Sequence, residues 1–446
     1  MSASNQPAPI DIESDNELDL ADVDEIVADD GDVPMSDDEG DAEEDMDTDE
    51  LAITNDSRAY FDGHSSSIFS IAQHPTQPLF LTGGGDDVAY IWTSAAASAE
   101  DAAVVPRELR QIRKLEAHKD SVIATCFTAP DGAYAVTGGL DGMVQLFSAA
   151  SGWKKVDGAQ EVEEVVWMAA HPSEPVIAVG TNEGSVWLYD IDSDKLVIRH
   201  VLYSHTASCT AGVWTKSGNF LCTVSEDGSF YAWDVATGQS VVALTADDQR
   251  FNIDGGLYSV ACSPSGAVAA VGGATGEIRV VGLPTTTDGG KRTAGRPMAS
   301  GGGSTGGGQA GQIIASIKAH EESVESLAFH PSTPLLASGS VDGKIALYDA
   351  QRGYAIRKIL EGHNDTVVKV EFVSGLTVNE PWLLTSCGID GTLRRWDARS
   401  GEELKCLKGH LGGNGDDGEG GILGFVQTKK EIITAGDDAV ALIFDA

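Results

Sequence analysis

The sequence predicts an all-β chain: a single propeller of eight four-stranded blades over residues 51–446, behind a disordered acidic tail over 1–50. Three observations carry this. Between Gly362 and Asp397, three apolar runs (Val367–Phe372, Leu383–Gly388 and Leu393–Asp397) are separated by turn residues, the pattern of short strands. Next, an acid in a Gly turn is followed six residues later by a strand-ending aromatic, as Asp390 is by Trp396, and this step recurs. Finally, the strand-ending positions Trp92, Phe147, Tyr189, Trp233, Val281, Tyr348, Trp396 and Phe444 are spaced 55, 42, 44, 48, 67, 48 and 48 apart. The two long intervals contain an Ala-rich insertion, Ala95–Arg110, and a Gly/Ser/Thr-rich one, Thr285–Gln312. Without them the period falls near ~40–45 residues, that of a four-stranded propeller blade.

Residues 1–50 carry 21 Asp or Glu and no Lys or Arg. Such a segment cannot bury enough apolar surface to offset the entropy of ordering, so it is read as a disordered interaction tail. The eighth unit stops at Ala439–Asp445, after only three strands. Ser57–Asp62 precedes His64 as Ala355–Glu361 precedes His363. Residues 51–62 are therefore expected to supply the outer strand of the last blade, closing the ring and protecting its edges. The stretch 285–312, with Lys291, Arg292 and Arg296 among glycines, reads as a flexible loop.

The repeated residues resemble those of WD-repeat propellers over 51–446. That resemblance implies a structural hydrogen-bond tetrad of His, Ser or Thr, Asp and Trp in each blade. It is complete at His64, Thr82, Asp86 and Trp92, at His205, Thr223, Asp227 and Trp233, and at His363, Ser386, Asp390 and Trp396. Three more units replace Trp with another aromatic: His118, Thr137, Asp141, Phe147; His320, Ser338, Asp342, Tyr348; and His410, Thr434, Asp438, Phe444. The third and fifth units lack the His and place Val179 and Val271 where the hydroxyl would be. Losing both together avoids an orphaned buried hydroxyl, which costs about 1–3 kcal/mol.

Nothing in the chain reads as an enzyme. There is no phosphate-binding loop, metalloprotease helix or nucleophile elbow. The blade histidines are matched to structural partners, while His74, His171 and His330 precede proline at turns. No metal and no cofactor is expected. The cysteines (Cys126, Cys209, Cys222, Cys262, Cys387 and Cys406) are scattered, with no C-x-x-C pair, and read as buried thiols of a reducing compartment. With no apolar run near the ~18 residues of a membrane span, a cytoplasmic and also nuclear protein is expected, with no membrane partner.

Net charge is −40, from 69 acids against 29 bases, so an attracted partner is basic rather than nucleic acid. In WD-repeat propellers, the loops joining one blade's outer strand to the next blade's inner strand open on the top face. Here they hold Asp120; Asp157, Glu161, Glu163 and Glu164; Asp247, Asp248 and Asp254; Glu321 and Glu322; Asp365; and Asp416, Asp417 and Glu419, against Lys119 and Arg250. The second residue of each first strand should face the channel mouth, where Phe69, Tyr258 and Glu325 stand. Aromatics ringed by acids suit a peptide of Arg and Lys interspersed with apolar residues.

A narrower resemblance is to the angio-associated migratory cell protein family, which includes a fungal ribosome-assembly chaperone. It is carried by the acidic leader, the eight units, the opening Asp62–Ser70 and the acidic loops. It implies a monomeric, dedicated chaperone of a basic large-subunit ribosomal protein, the one lining the tRNA corridor near the peptidyl-transferase centre, captured by its N-terminal segment. The Gly-rich insertion departs from the family. A histone-binding propeller or other WD-repeat scaffold, and a ubiquitin-ligase substrate receptor, are the alternatives.

Overall fold

The computed structural model describes residues 54–95, 106–116, 118–284, 309–375, 382–412 and 420–446. The tail over 1–50, most of the 285–312 stretch, and Asp416, Asp417 and Glu419 lie outside them. The described residues form eight sheets, seven of them four-stranded antiparallel meanders running from the channel outward and the eighth five-stranded. The innermost strands are Ile68–Gln73, Val122–Phe127, Val165–Ala170, Cys209–Trp214, Leu257–Cys262, Val324–Phe329, Val367–Phe372 and Ile422–Gln427. Each packs beside the next, and the last beside the first, so the ring closes. No helix among the described residues is long and apolar enough to cross a membrane.

Closure is made by the chain's early residues. Strand Ala59–Phe61 pairs antiparallel with Ala441–Asp445, Ala59 opposite Ile443 and Phe61 opposite Ala441. Asp56 then ties this strand to blade 7. Its N–H donates to the Lys408 carbonyl (2.8 Å), and its carboxylate accepts from the Lys408 N–H (2.9 Å). Phe61 is buried and stacks on Trp92 at 5.1 Å between ring centres, with Phe80 on that indole at 4.8 Å. Blades 8 and 1 thus share one apolar cluster.

The Ala-rich insertion has an end that the repeat pattern does not foretell. Arg107–Glu108 adds to the closing strand as a parallel fifth strand, and Leu109 is buried in the same cluster as Phe61. An unpaired strand edge is a template for aggregation, and this short strand covers it.

The joints between blades differ in one respect. At two paired positions in the middle of each sheet, seven blades place only aliphatic or thiol side chains: Leu81 and Ile91, Val136 and Leu146, Ala178 and Leu188, Cys222 and Ala232, Ala270 and Val280, Ala337 and Leu347, and Ile433 and Ile443. Blade 7 places Thr385 and Arg395 there. Thr385 is satisfied across the joint by Gln427 of blade 8 (2.7 Å). Arg395 is only 3% exposed, and its Nε and Nη2 have no partner among the described residues. A buried charge without a partner is destabilising, and aliphatic replacement removes that cost. We expect Arg395→Leu to raise the melting temperature, corresponding to about 1–3 kcal/mol of stability, in thermal unfolding followed by circular dichroism.

All six cysteines are free thiols. Burial pushes Cys126, Cys209 and Cys387 up to about 12, which keeps them protonated and unreactive at neutral pH.

Candidate functional site: an acidic channel mouth

The histidine networks fix the top of six of the eight blades. In blade 1, His64 Nε2 lies 2.9 Å from Thr82 Oγ1, and its Nδ1 lies 3.0 Å from Asp86. The Trp92 indole donates to the same hydroxyl (3.2 Å). Blade 7 repeats the set, with His363 at 2.8 Å from Ser386 and 3.1 Å from Asp390, and Trp396 donating to Ser386 at 2.8 Å. Burial pushes the Asp390 carboxyl up, but His363 and the Asn364 N–H outweigh it and hold it at about 2. Where Tyr348 replaces Trp, its hydroxyl reaches Ser338 at 2.8 Å.

Blade 4 departs from the expected pattern. Asp227 is 3.8 Å from His205, and the Ser229 hydroxyl stands between them, 2.6 Å from His205 Nδ1 and bonded to Asp227. In blade 5, Ile253 fills the histidine's place: a Cβ on Gly273 would strike Ile253, as one on Gly84 would strike His64. Val271 beside it is fully buried, so no hydroxyl is left without a partner. The turn histidines are structural too. His74, His171 and His330 each accept two backbone N–H groups through Nδ1 and pack edge-on against Phe127, Trp214 and Phe372.

The channel mouth is built by a feature repeated eight times. Every innermost strand bulges at its second residue: Phe69, Ile123, Val166, Thr210, Tyr258, Glu325, Val368 and Leu423. A bulged residue loses its ladder partner and the strand bends, which re-aims the side chain. Phe69 is 41% exposed. It rests against Gly85, where a Cβ would come within 3.1 Å of the ring.

A second set lies beside these bulges, in the turn just before each tetrad acid. It includes Leu140, Glu226, Val341, Ile389 and Asp437, whose N–H groups bond to the residues leading into the first strands (2.9 to 3.1 Å). Sequence reasoning missed Glu226 and Asp437. The signal was available: each directly precedes the tetrad acid of its blade.

The other expected acids divide by what they touch. Asp120 and Asp365 each use one oxygen on the next backbone N–H and are exposed. Glu163, Glu164, Asp247, Asp254, Glu321 and Glu322 are also exposed. Glu161 accepts from the buried Tyr189 hydroxyl (3.1 Å). Asp248 is not a free charge, because Arg250 binds it through Nε (3.0 Å) and Nη2 (2.7 Å). Asp157 is not in a top loop either. It lies in outer strand Lys154–Ala159 and accepts from the Leu196 N–H of the next blade (2.9 Å).

A closed ring with its polar side chains spent on structure, and with carboxylates and a half-exposed aromatic at one mouth, is a binding propeller. The family described as "WD domain, G-beta repeat" matches residues 55–93, 109–148, 197–234, 311–349 and 355–397. The chain is 29% identical over 451 residues to the ribosome assembly protein SQT1 of Saccharomyces cerevisiae, spanning 94% of this chain and 91% of the yeast protein. To the human angio-associated migratory cell protein it is 26% identical over 397 residues, 87% of this chain and 80% of that one. The crystal structure of Chaetomium thermophilum Sqt1 bound to the N-terminus of the ribosomal protein L10 superposes with a TM-score of 0.76 at 41% identity, covering 88% of this chain and 100% of that one. The chain belongs to the WD-repeat family, in the group that holds Sqt1 and the angio-associated migratory cell protein.

Proposed function

We propose that this protein is a ribosome-assembly chaperone that holds the basic N-terminal segment of a large-subunit ribosomal protein on its top face. In this role it works by binding alone. The observation that carries the reading is the 41%-identical relative solved with the N-terminus of ribosomal protein L10. The chemistry of the mouth supports it. A segment destined for RNA is cationic and binds promiscuously until its charge is masked. A concave acidic surface masks that charge and yields it later to the denser charge of RNA. Capture begins with the exposed carboxylates, and apolar residues of the segment are then buried against Phe69 and its neighbours at the mouth.

The test is a salt series. Affinity for a synthetic peptide of the L10 N-terminal segment will fall at least tenfold between about 50 and about 300 mM salt, because screening shortens the reach of exposed charges to well under 10 Å. A flat profile rejects charge-led capture.

A further inference from the structure

We propose that the mouth contains a subsite for one arginine side chain, made by the Tyr258 ring with the Glu226 and Glu325 carboxylates. This rests on the peptide-binding reading above and adds to it which part of the rim takes which chemistry. The eight bulge positions are not equivalent. Five consecutive blades, from 7 through 8 to 3, present Val368, Leu423, Phe69, Ile123 and Val166. The remaining three, blades 4 to 6, present Thr210, Tyr258 and Glu325. The mouth therefore has an apolar arc and, across from it, one polar sector.

That sector is rigidly held. The Thr210 hydroxyl donates to the Leu257 carbonyl (2.6 Å), and the Ser259 hydroxyl donates to the Val324 carbonyl (2.6 Å). The residues on both sides of Tyr258 are thus fastened to the neighbouring blades, and the second of these bonds ends one residue before Glu325. Glu226 is drawn in by Gly256, whose φ is +93° and where a Cβ would lie 2.7 Å from the Glu226 carbonyl oxygen. Only glycine permits that approach. Burial pushes the Tyr258 phenol up, and the charges of Glu226 and Glu325 add to this, so both carboxylates act on the ring. Neither forms an ion pair among the described residues, whereas Lys195, Arg199, Arg250, Arg279 and Arg394 are each paired with other carboxylates.

An aromatic face between two unpaired carboxylates attracts a cation. Arginine fits it better than lysine, because the planar guanidinium stacks on the ring while its fork of donors reaches a carboxylate on either side. An ammonium is a compact point charge that lacks this geometry.

The experiment is titration calorimetry of the full chain with the L10 N-terminal peptide, and with versions in which each arginine in turn is lysine. Tyr258→Ala, and the pair Glu226→Gln with Glu325→Gln, will each weaken binding about tenfold or more, with unchanged melting temperatures. Tyr258→Phe, which keeps the ring, will stay within about threefold. One arginine position will lose its preference over lysine in the Tyr258→Ala background, while the others keep theirs. If Tyr258→Ala and the double glutamine variant bind as the parent does, while reversal of exposed rim acids abolishes binding, the subsite is wrong and the capture reading stands. A parent protein that ignores the peptide overturns both.

Discussion

A chain lacking residues 1–62 will not fold to a stable propeller, whereas one lacking only 1–50 will melt as the full chain does. The shorter deletion removes none of the described contacts. The longer one takes away strand Ala59–Phe61 and with it the pairing to Ala441–Asp445, the Asp56 tie to Lys408 and the Arg58 ion pair with Glu431. Phe61, 3% exposed and stacked on Trp92, is lost as well. Deleting a buried Phe side chain alone typically costs about 3–5 kcal/mol, against a total stability of about 5–15 kcal/mol for a folded domain. The deletion also strips the partner from Arg107–Glu108 and leaves Ala441–Asp445 as a bare edge, so aggregation will accompany the loss. Calorimetry and light scattering on the two truncations decide it. A residues 63–446 protein that is monomeric and melts with the parent refutes this account of closure.

The second large effect is on binding. Glu321→Lys, Glu322→Lys and Glu325→Lys together will reduce affinity for the L10 N-terminal peptide at least a hundredfold at low salt. Thermal stability should change little. Each reversal alters the rim by two charges, and one charge pair at 10 Å in water is worth about 0.4 kcal/mol. Six units acting on a peptide with several cations reach several kcal/mol, enough for two or more decades in affinity. Among the described residues, none of these three carboxylates accepts a hydrogen bond. Glu321 and Glu322 contribute only backbone groups, to Asp342 and Ser340, which substitution spares. A variant that binds as tightly as the parent would remove this sector from the capture surface. Loss of both fold and binding would show instead that the carboxylates are structural.

Much of the ring was legible because propeller blades are built from contacts close in sequence. A His, its Ser or Thr and its Asp lie within one unit, so their spacing survives in the chain and Val179 and Val271 stand out as coupled losses. What the sequence hid is what crosses between blades or depends on backbone shape. The bulges at Phe69 and its seven counterparts leave no residue signature. Ser229 between His205 and Asp227 sits two residues from the acid it serves, inside an ordinary turn. Arg107–Glu108 pairs with a strand nearly fifty positions earlier, so no repeat predicts it. Acid counting likewise placed Asp248 and Asp157 on the free surface, although Arg250 and Leu196 already occupy them.

The closing strand also sets an order of events during synthesis. Arg58 and Glu431, joined in the last blade, are 373 positions apart in sequence. At roughly 5–20 residues per second, the early strand waits about 20–75 s for its partner to be made. Seven blades can assemble from neighbouring segments while this edge stays open, so the final step is a long-range docking event and the slow one. The completed mouth, whose apolar arc runs across that last joint through Leu423 and Phe69, becomes available only once the ring has shut.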